Sequence, residues 1–142
     1  MMKKLDLSEC QACACFAVRR AARAITQAYD QALRPTGLRS TQFTLMVVLH
    51  NGGPQPLQLL AERLGMERTT LTRNLGPLVA RGYVSERAGE PDPRVRVLLL
   101  TPAGERAAAA ALPRWRRAQR GLAKQLTPRG LGALADLART VA

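Results

Sequence analysis

Residues Pro56–Ala80, PLQLLAERLGMERTTLTRNLGPLVA, decide how this chain folds. Leu60, Leu64, Met66, Leu71, Leu75 and Leu78 recur at spacings that share one buried side of two short helices. Ala61 is small enough for a close helix crossing, and Gly65 stands where the first helix must stop and turn. Beyond that turn Glu67, Arg68, Thr69, Thr70, Thr72 and Arg73 present charges and hydroxyls on the opposite side. A helix that reads DNA needs this surface: Arg forks onto guanine edges, Thr reaches bases or phosphates, and the helix fits the major groove. An ordinary pair of surface helices carrying arginines would give the same stretch, so the flanks must decide. Gly76-Pro77 predicts a bend after Arg68–Arg73, because Pro77 cannot donate to the Arg73 carbonyl.

Downstream, Arg81-Gly82 stops the helix. Tyr83–Arg87 and Arg94–Leu100 then have strand propensity on either side of Ala88-Gly89-Glu90-Pro91-Asp92-Pro93. This reads as a β-hairpin whose tip is too long for a two-residue turn. Arg87, Arg94 and Arg96 lie near the tip, so a basic hairpin directly follows the helix pair. That is a wing, suited to a minor groove or a phosphate backbone. A solvated loop is the plain alternative.

Upstream, Ser8-Glu9-Cys10-Gln11 matches a capping box, which predicts a first helix from Ser8 to Leu33 ended by Arg34-Pro35-Thr36-Gly37. Val18, Ala21, Ala22, Ile25, Ala28, Tyr29, Ala32 and Leu33 form its apolar stripe, with Arg19, Arg20, Arg23 and Asp30 toward water. So long a helix in so small a domain is expected to pack against a second chain. A second helix is expected from Ser40, as N-cap, to Asn51. It is apolar nearly all round and therefore a core helix. Thr101-Pro102 opens the next helix, kinked at Pro113, and Thr127-Pro128 repeats that start chemistry for a last one.

The 142 residues suit one domain, or a small domain with an assembly arm. Twenty-two Lys+Arg against ten Asp+Glu give +12, an excess that favours polyanions, although Arg-rich composition alone would also produce it. No stretch has the ~20 apolar residues needed to span a bilayer. Asp6 and Glu9 interrupt any signal-peptide core, so a cytoplasmic chain without membrane contact is expected.

The order is helix, helix, helix-turn-helix, basic hairpin, two helices. With LAERLGMERTTLTRNLGPL, ARGYV, Asp92-Pro93-Arg94 and Leu100-Thr101-Pro102-Ala103-Gly104, it resembles the MarR family (multiple antibiotic resistance regulators) over nearly the whole chain. The resemblance implies a mainly α winged helix-turn-helix protein with a small β-hairpin wing. Residues 36–100 would bind DNA, and residues 1–35 with 101–142 would form a helical dimerisation region. It implies a homodimeric repressor on a pseudo-palindromic double-stranded operator, with Arg68, Thr69, Thr70, Thr72 and Arg73 in the major groove. Arg94 would reach the minor groove, Arg96 would assist it, and Asp92 would hold the wing. It also implies a small-molecule effector site at the junction of arm and winged helix, near Tyr29, Phe43, Met46, Val47 and His50.

Cys10, Cys13 and Cys15 are candidate sensors in the first two turns expected of helix one. Cys10 near a helix N-terminus would favour a thiolate, and Cys10-Gln11-Ala12-Cys13 has redox-type spacing. Cys13-Ala14-Cys15 could offer soft ligands to a metal ion, and all three could be small packing residues. No cofactor, metal or catalytic assembly is expected. His50 stands without an acidic cluster, and no βαβ pattern surrounds the Cys-x-x-Cys of a thiol-redox protein. A sequence-independent architectural DNA-binding protein is the other alternative.

Overall fold

The computed structural model describes residues 5–140. The chain forms α1 (Ala14–Leu33), α2 (Ser40–Gly52), β1 (Gln55–Pro56), α3 (Leu57–Leu64), α4 (Arg68–Ala80), β2 (Val84–Ala88), β3 (Arg96–Leu100) and α5 (Pro102–Thr140). It is a mostly helical winged helix-turn-helix fold with a three-stranded antiparallel sheet in the order β1-β3-β2. The wing hairpin pairs Val84 with Leu100 and Ala88 with Arg96. β1 was not expected from sequence. It adds Gln55 and Pro56 opposite Leu98 and Val97, as proline permits at a sheet edge.

The core lies where α2, α3, α4 and the sheet meet. Leu45, Met46, Leu60, Leu71, Leu78 and Leu98 are fully buried there, and Leu33 joins them from the end of α1. Gln42 and Gln55 are the buried polar residues among the described ones, and Gln55, the deeper of the two, is satisfied. Its amide donates to the Val48 and Gly53 carbonyls at 3.4 and 3.2 Å and accepts from Arg63 at 3.1 Å. Burial without those partners would cost about 1–3 kcal/mol.

Several expected starts and bends differ. The first α-helix begins at Ala14, not Ser8. Ser8–Ala12 is a 3-10 turn, and Cys13, extended at ψ 114°, separates the two. The Ser8 hydroxyl makes no capping bond, and Asp6 instead accepts the Ser8 N–H at 2.9 Å. At α2 the N-cap is Arg39, whose N–H is taken by the Gln42 side chain at 3.0 Å. Ser40 is the first helical residue, and its N–H is accepted by Asp30 of α1 at 2.7 Å. Asp30 therefore ties two helices together rather than facing water.

Pro77 and Pro113 also act unexpectedly. α4 runs unbroken through Gly76-Pro77. Glycine relieves the clash that a Cβ before proline would cause, and the exposed side of the helix lets water meet the freed Arg73 carbonyl. α5 likewise keeps helical dihedrals through Pro113 and departs from them at Thr127, with φ 62° and ψ 159°. Leu112, before Pro113, is packed against the core, whereas exposed Thr127 before Pro128 is unconstrained and yields. Thr127 still starts the last helical segment, accepting the Gly130 N–H at 3.3 Å.

Candidate nucleic-acid interface

Leu71, Leu75 and Leu78 anchor α4 in the core, and this burial turns the opposite side outward. Arg68, Thr69, Thr70, Thr72 and Arg73 are all exposed on the first turns of that helix. Gly65 makes the turn that sets its direction: it is left-handed at φ 59°, and its N–H and that of Met66 close on the carbonyls of Glu62 and Ala61. The surface so presented combines guanidinium forks with hydroxyls on a rigid element.

Three polar side chains, those of Thr41, Asn74 and Arg81, aim that element. Thr41 of α2 donates to the Asn74 side chain at 2.9 Å, and Asn74 donates to the Thr70 carbonyl at 2.9 Å. At the other end Arg81 donates to the Gly37 and Thr36 carbonyls at 2.9 and 3.3 Å and to the Tyr83 hydroxyl at 3.0 Å. Its guanidinium carbon also lies 4.6 Å from the Tyr83 ring centroid. Thr101 accepts the Gly104 N–H at 3.0 Å as the α5 N-cap and donates to Gly82 at 2.6 Å, so wing and α5 share one joint. Gly104 is required there, because a Cβ would overlap the Tyr83 carbonyl. Thr41, Asn74 and Arg81 were missed in the sequence. Their partners lie 33 and 44 residues away, beyond any local pattern.

On the wing Asp92 accepts the Arg94 backbone N–H at 3.0 Å and its guanidinium at 3.1 and 3.3 Å. The Arg94 side chain, then the Arg94 N–H, hold the Asp92 carboxyl below the usual carboxylate range. Arg94 nonetheless stands 91% exposed at the tip. Arg96 donates to Glu86 across the hairpin at 3.0 Å, which raises its already high pKa. Of the three wing arginines singled out from sequence, Arg94 and Arg96 are thus in ion pairs, whereas exposed Arg87 has no carboxylate partner among the described residues.

The residues expected around an effector are only partly brought together. Phe43 and Val47 line two adjoining apolar depressions between α2 and α5, about 270 and 210 Å³, with Leu112 shared and Trp115 closing the larger. His50 is on the rim of the smaller, 61% exposed, with Nδ1 3.5 Å from Glu105. Met46 does not line either depression; it is fully buried in the core. Tyr29 stacks on Trp115 at 6.3 Å between centroids and donates to Gln119. Burial pushes its phenol pKa up.

Cys10, Cys13 and Cys15 are free and exposed. The start of α1 at Ala14 leaves Cys10 in the 3-10 turn, outside the α-helix, so the helix-dipole argument for its thiolate does not apply. Cys13 is the N-cap, and its N–H reaches the Cys10 carbonyl at 3.2 Å.

The MarR family profile matches residues 38–95, the stretch from α2 to the wing tip. A crystal structure of the M. tuberculosis transcriptional regulator MosR in complex with DNA is 42% identical, with 90% of this chain and 95% of that chain covered and a TM-score of 0.80. The chain belongs to the MarR family. It is also 32% identical over 89 residues to the uncharacterized HTH-type transcriptional regulator YwoH of Bacillus subtilis. That match spans 63% of this chain and 64% of the curated relative. The PcaV regulator of Streptomyces coelicolor, solved with its natural ligand, shares the fold at TM-score 0.81 and 22% identity, covering 99% of this chain and 96% of that one.

Proposed function

We propose that this MarR-family chain is a homodimeric, sequence-specific repressor of transcription on double-stranded DNA. The carrying observation is the exposed row Arg68, Thr69, Thr70, Thr72 and Arg73 on a helix whose other side is locked in the core. The 42%-identical MosR, solved with DNA, supports the partner. The recognition helices of a dimer would enter major grooves about one turn, roughly 34 Å, apart. The wing would follow the backbone with Arg94 and Arg96, Asp92 holding its tip. Residues 36–100 serve as the reading domain. Residues 1–35 and 101–142 serve as the dimer arm, whose α1 buries only Leu33 within one chain.

Binding of genomic fragments at physiological salt tests this reading. A few enriched sites, with Arg73→Gln losing base preference, is the expected result. Even coverage would replace the repressor with an architectural DNA-binding protein.

Control of affinity is proposed to run through one of two sites. The apolar depressions at Phe43, Val47 and Trp115 suit a small aromatic ligand. Exposed Cys10 and Cys13 lie just ahead of α1 and exposed Cys15 lies in its first turn, where oxidation would reach the dimer arm. An oxidant-induced change in DNA affinity that persists in Cys10→Ser would remove Cys10 from that role. Coupling of either kind is typically ~1–3 kcal/mol.

A further inference from the structure

Most of the net charge sits outside the reading domain. Residues 36–100 contain eight Lys+Arg and five Asp+Glu, whereas residues 101–142 contain eight and two. From 106 to 135 there is no acidic residue at all. Arg106, Arg114, Arg117, Arg120 and Lys124 of α5 are exposed, and none pairs with a carboxylate among the described residues. Their spacings of eight, three, three and four place them on one helix face, opposite Gly104, Ala111 and Trp115, which pack inward. The stripe runs about 27 Å along the helix at 1.5 Å per residue. Arg114 and Arg117 flank a groove of about 410 Å³ against Ala28, Gln31 and Ala32 of α1, so cations and a concave surface coincide.

This stripe is not an extension of the reading face. On α2, Thr41 meets Asn74 of the recognition helix, while Phe43 meets Trp115 of α5 at 6.3 Å. Residues two apart on a helix point about 200° apart, so α4 and α5 lie on opposite sides of α2. A single straight duplex seated on α4 does not reach the outer face of α5.

We propose that the outer face of α5 is a second, sequence-independent docking surface for the phosphate backbone of duplex DNA, which lets one regulator hold two DNA segments. Charge complementarity selects the occupant: unpaired cations on a rigid element match a regular polyanion. A second copy of this stripe is a poor occupant, because a two-fold contact would set cation against cation. A membrane is a poor one too, because Ala110, Pro113 and Gly121 on this face provide no apolar anchor. The inference goes beyond the repressor reading and does not need it, since the stripe reads no bases.

The test immobilises one random-sequence duplex, saturates it with the full chain, and measures capture of a second, labelled random-sequence duplex. The wild type should capture it, and Arg114→Gln/Arg117→Gln/Arg120→Gln should lose at least tenfold of that capture while still binding the first duplex. On an Arg68→Gln/Arg73→Gln background, adding the three α5 substitutions should flatten the salt slope of random-duplex binding by roughly 2.7, about 0.9 per phosphate contact. Unchanged thermal melting of these exposed-site variants excludes misfolding as the cause. Capture retained by the α5 triple variant, an unchanged slope, or no capture by the wild type would each overturn the proposal. Loss of genomic site preference, by contrast, bears on the reading domain alone.

Discussion

The helix pair α3–α4 and the helix pair α1–α5 solve opposite problems. α3 and α4 are short, yet Leu60, Leu71, Leu75 and Leu78 are each at most 1% exposed. α1 and α5 are long, yet α1 buries only Leu33, and Val18, Leu134 and Leu137 remain 47%, 39% and 39% exposed. Ala17, Ala21, Ala22, Ile25 and Leu134 line an apolar groove of about 510 Å³ between them. The first pair is stabilised by its own chain and leaves a polar face free for reading. The second leaves both apolar surface and cations exposed. Function in this chain therefore depends on what each pair leaves unburied.

The sharpest way to break this comparison is through the core. Leu71→Ala removes a fully buried side chain from the reading helix and should cost about 3 kcal/mol, within the range for such cavities. Urea unfolding monitored by circular dichroism measures it. A loss below about 1 kcal/mol would mean that the helix pair is not self-supporting. In the arm, Ile25→Asp should leave the monomer folded and abolish dimerisation, read by sedimentation equilibrium at micromolar protein. The dependence of melting temperature on concentration should vanish with it. A variant that stays dimeric would place the contact elsewhere.

Legibility in the sequence follows the same division. The leucine spacing of Pro56–Ala80 reads directly because helix, turn and burial there are all local. The wing reads as well, because strand propensity and turn residues adjoin. What stayed hidden was long-range. Asp30 capping α2, Thr41 on Asn74 and Arg81 on Gly37 join residues 10, 33 and 44 positions apart. The two-residue strand β1 is visible only through its partner β3. Rules applied without context misplaced the first helix start and put a kink at Pro113, whereas the start expected at Thr127-Pro128 is where the helical dihedrals break. Ser8 fits a capping box, but Cys13 interrupts the helix it would cap. Both prolines of α5 strain the residue before them, and packing decides which one gives way. At the candidate interface, α4 was readable as an exposed face, but the pairing of Arg94 and Arg96 with carboxylates was not.

Smaller effects test the joint between the two regions. Gly104→Ala forces a methyl into the Tyr83 carbonyl where wing and α5 meet, and overpacking of this kind should cost roughly 1–3 kcal/mol. Hydrogen exchange should show faster opening at β2 and the start of α5 than in α3. Uniform destabilisation would mean that the joint does not couple wing and arm.

The smallest effect separates the cations of the reading side from those of α5. Arg94 is balanced by Asp92, whereas the α5 stripe has no carboxylates to balance it. Asp92 has its folded pKa depressed, first by the Arg94 side chain and then by the Arg94 N–H. Its contribution is therefore present above the ordinary carboxylate pKa and fades as pH falls through the lower folded value. Arg94→Gln removes the larger cause and leaves the backbone bond. An NMR titration of the Asp92 carboxyl should then move up toward the ordinary value without reaching it. A titration midpoint unchanged from wild type would mean that the backbone alone sets it. Arg94 would then be as unrestrained as the arginines of α5, and the contrast between a balanced wing and an unbalanced arm would fail at that residue.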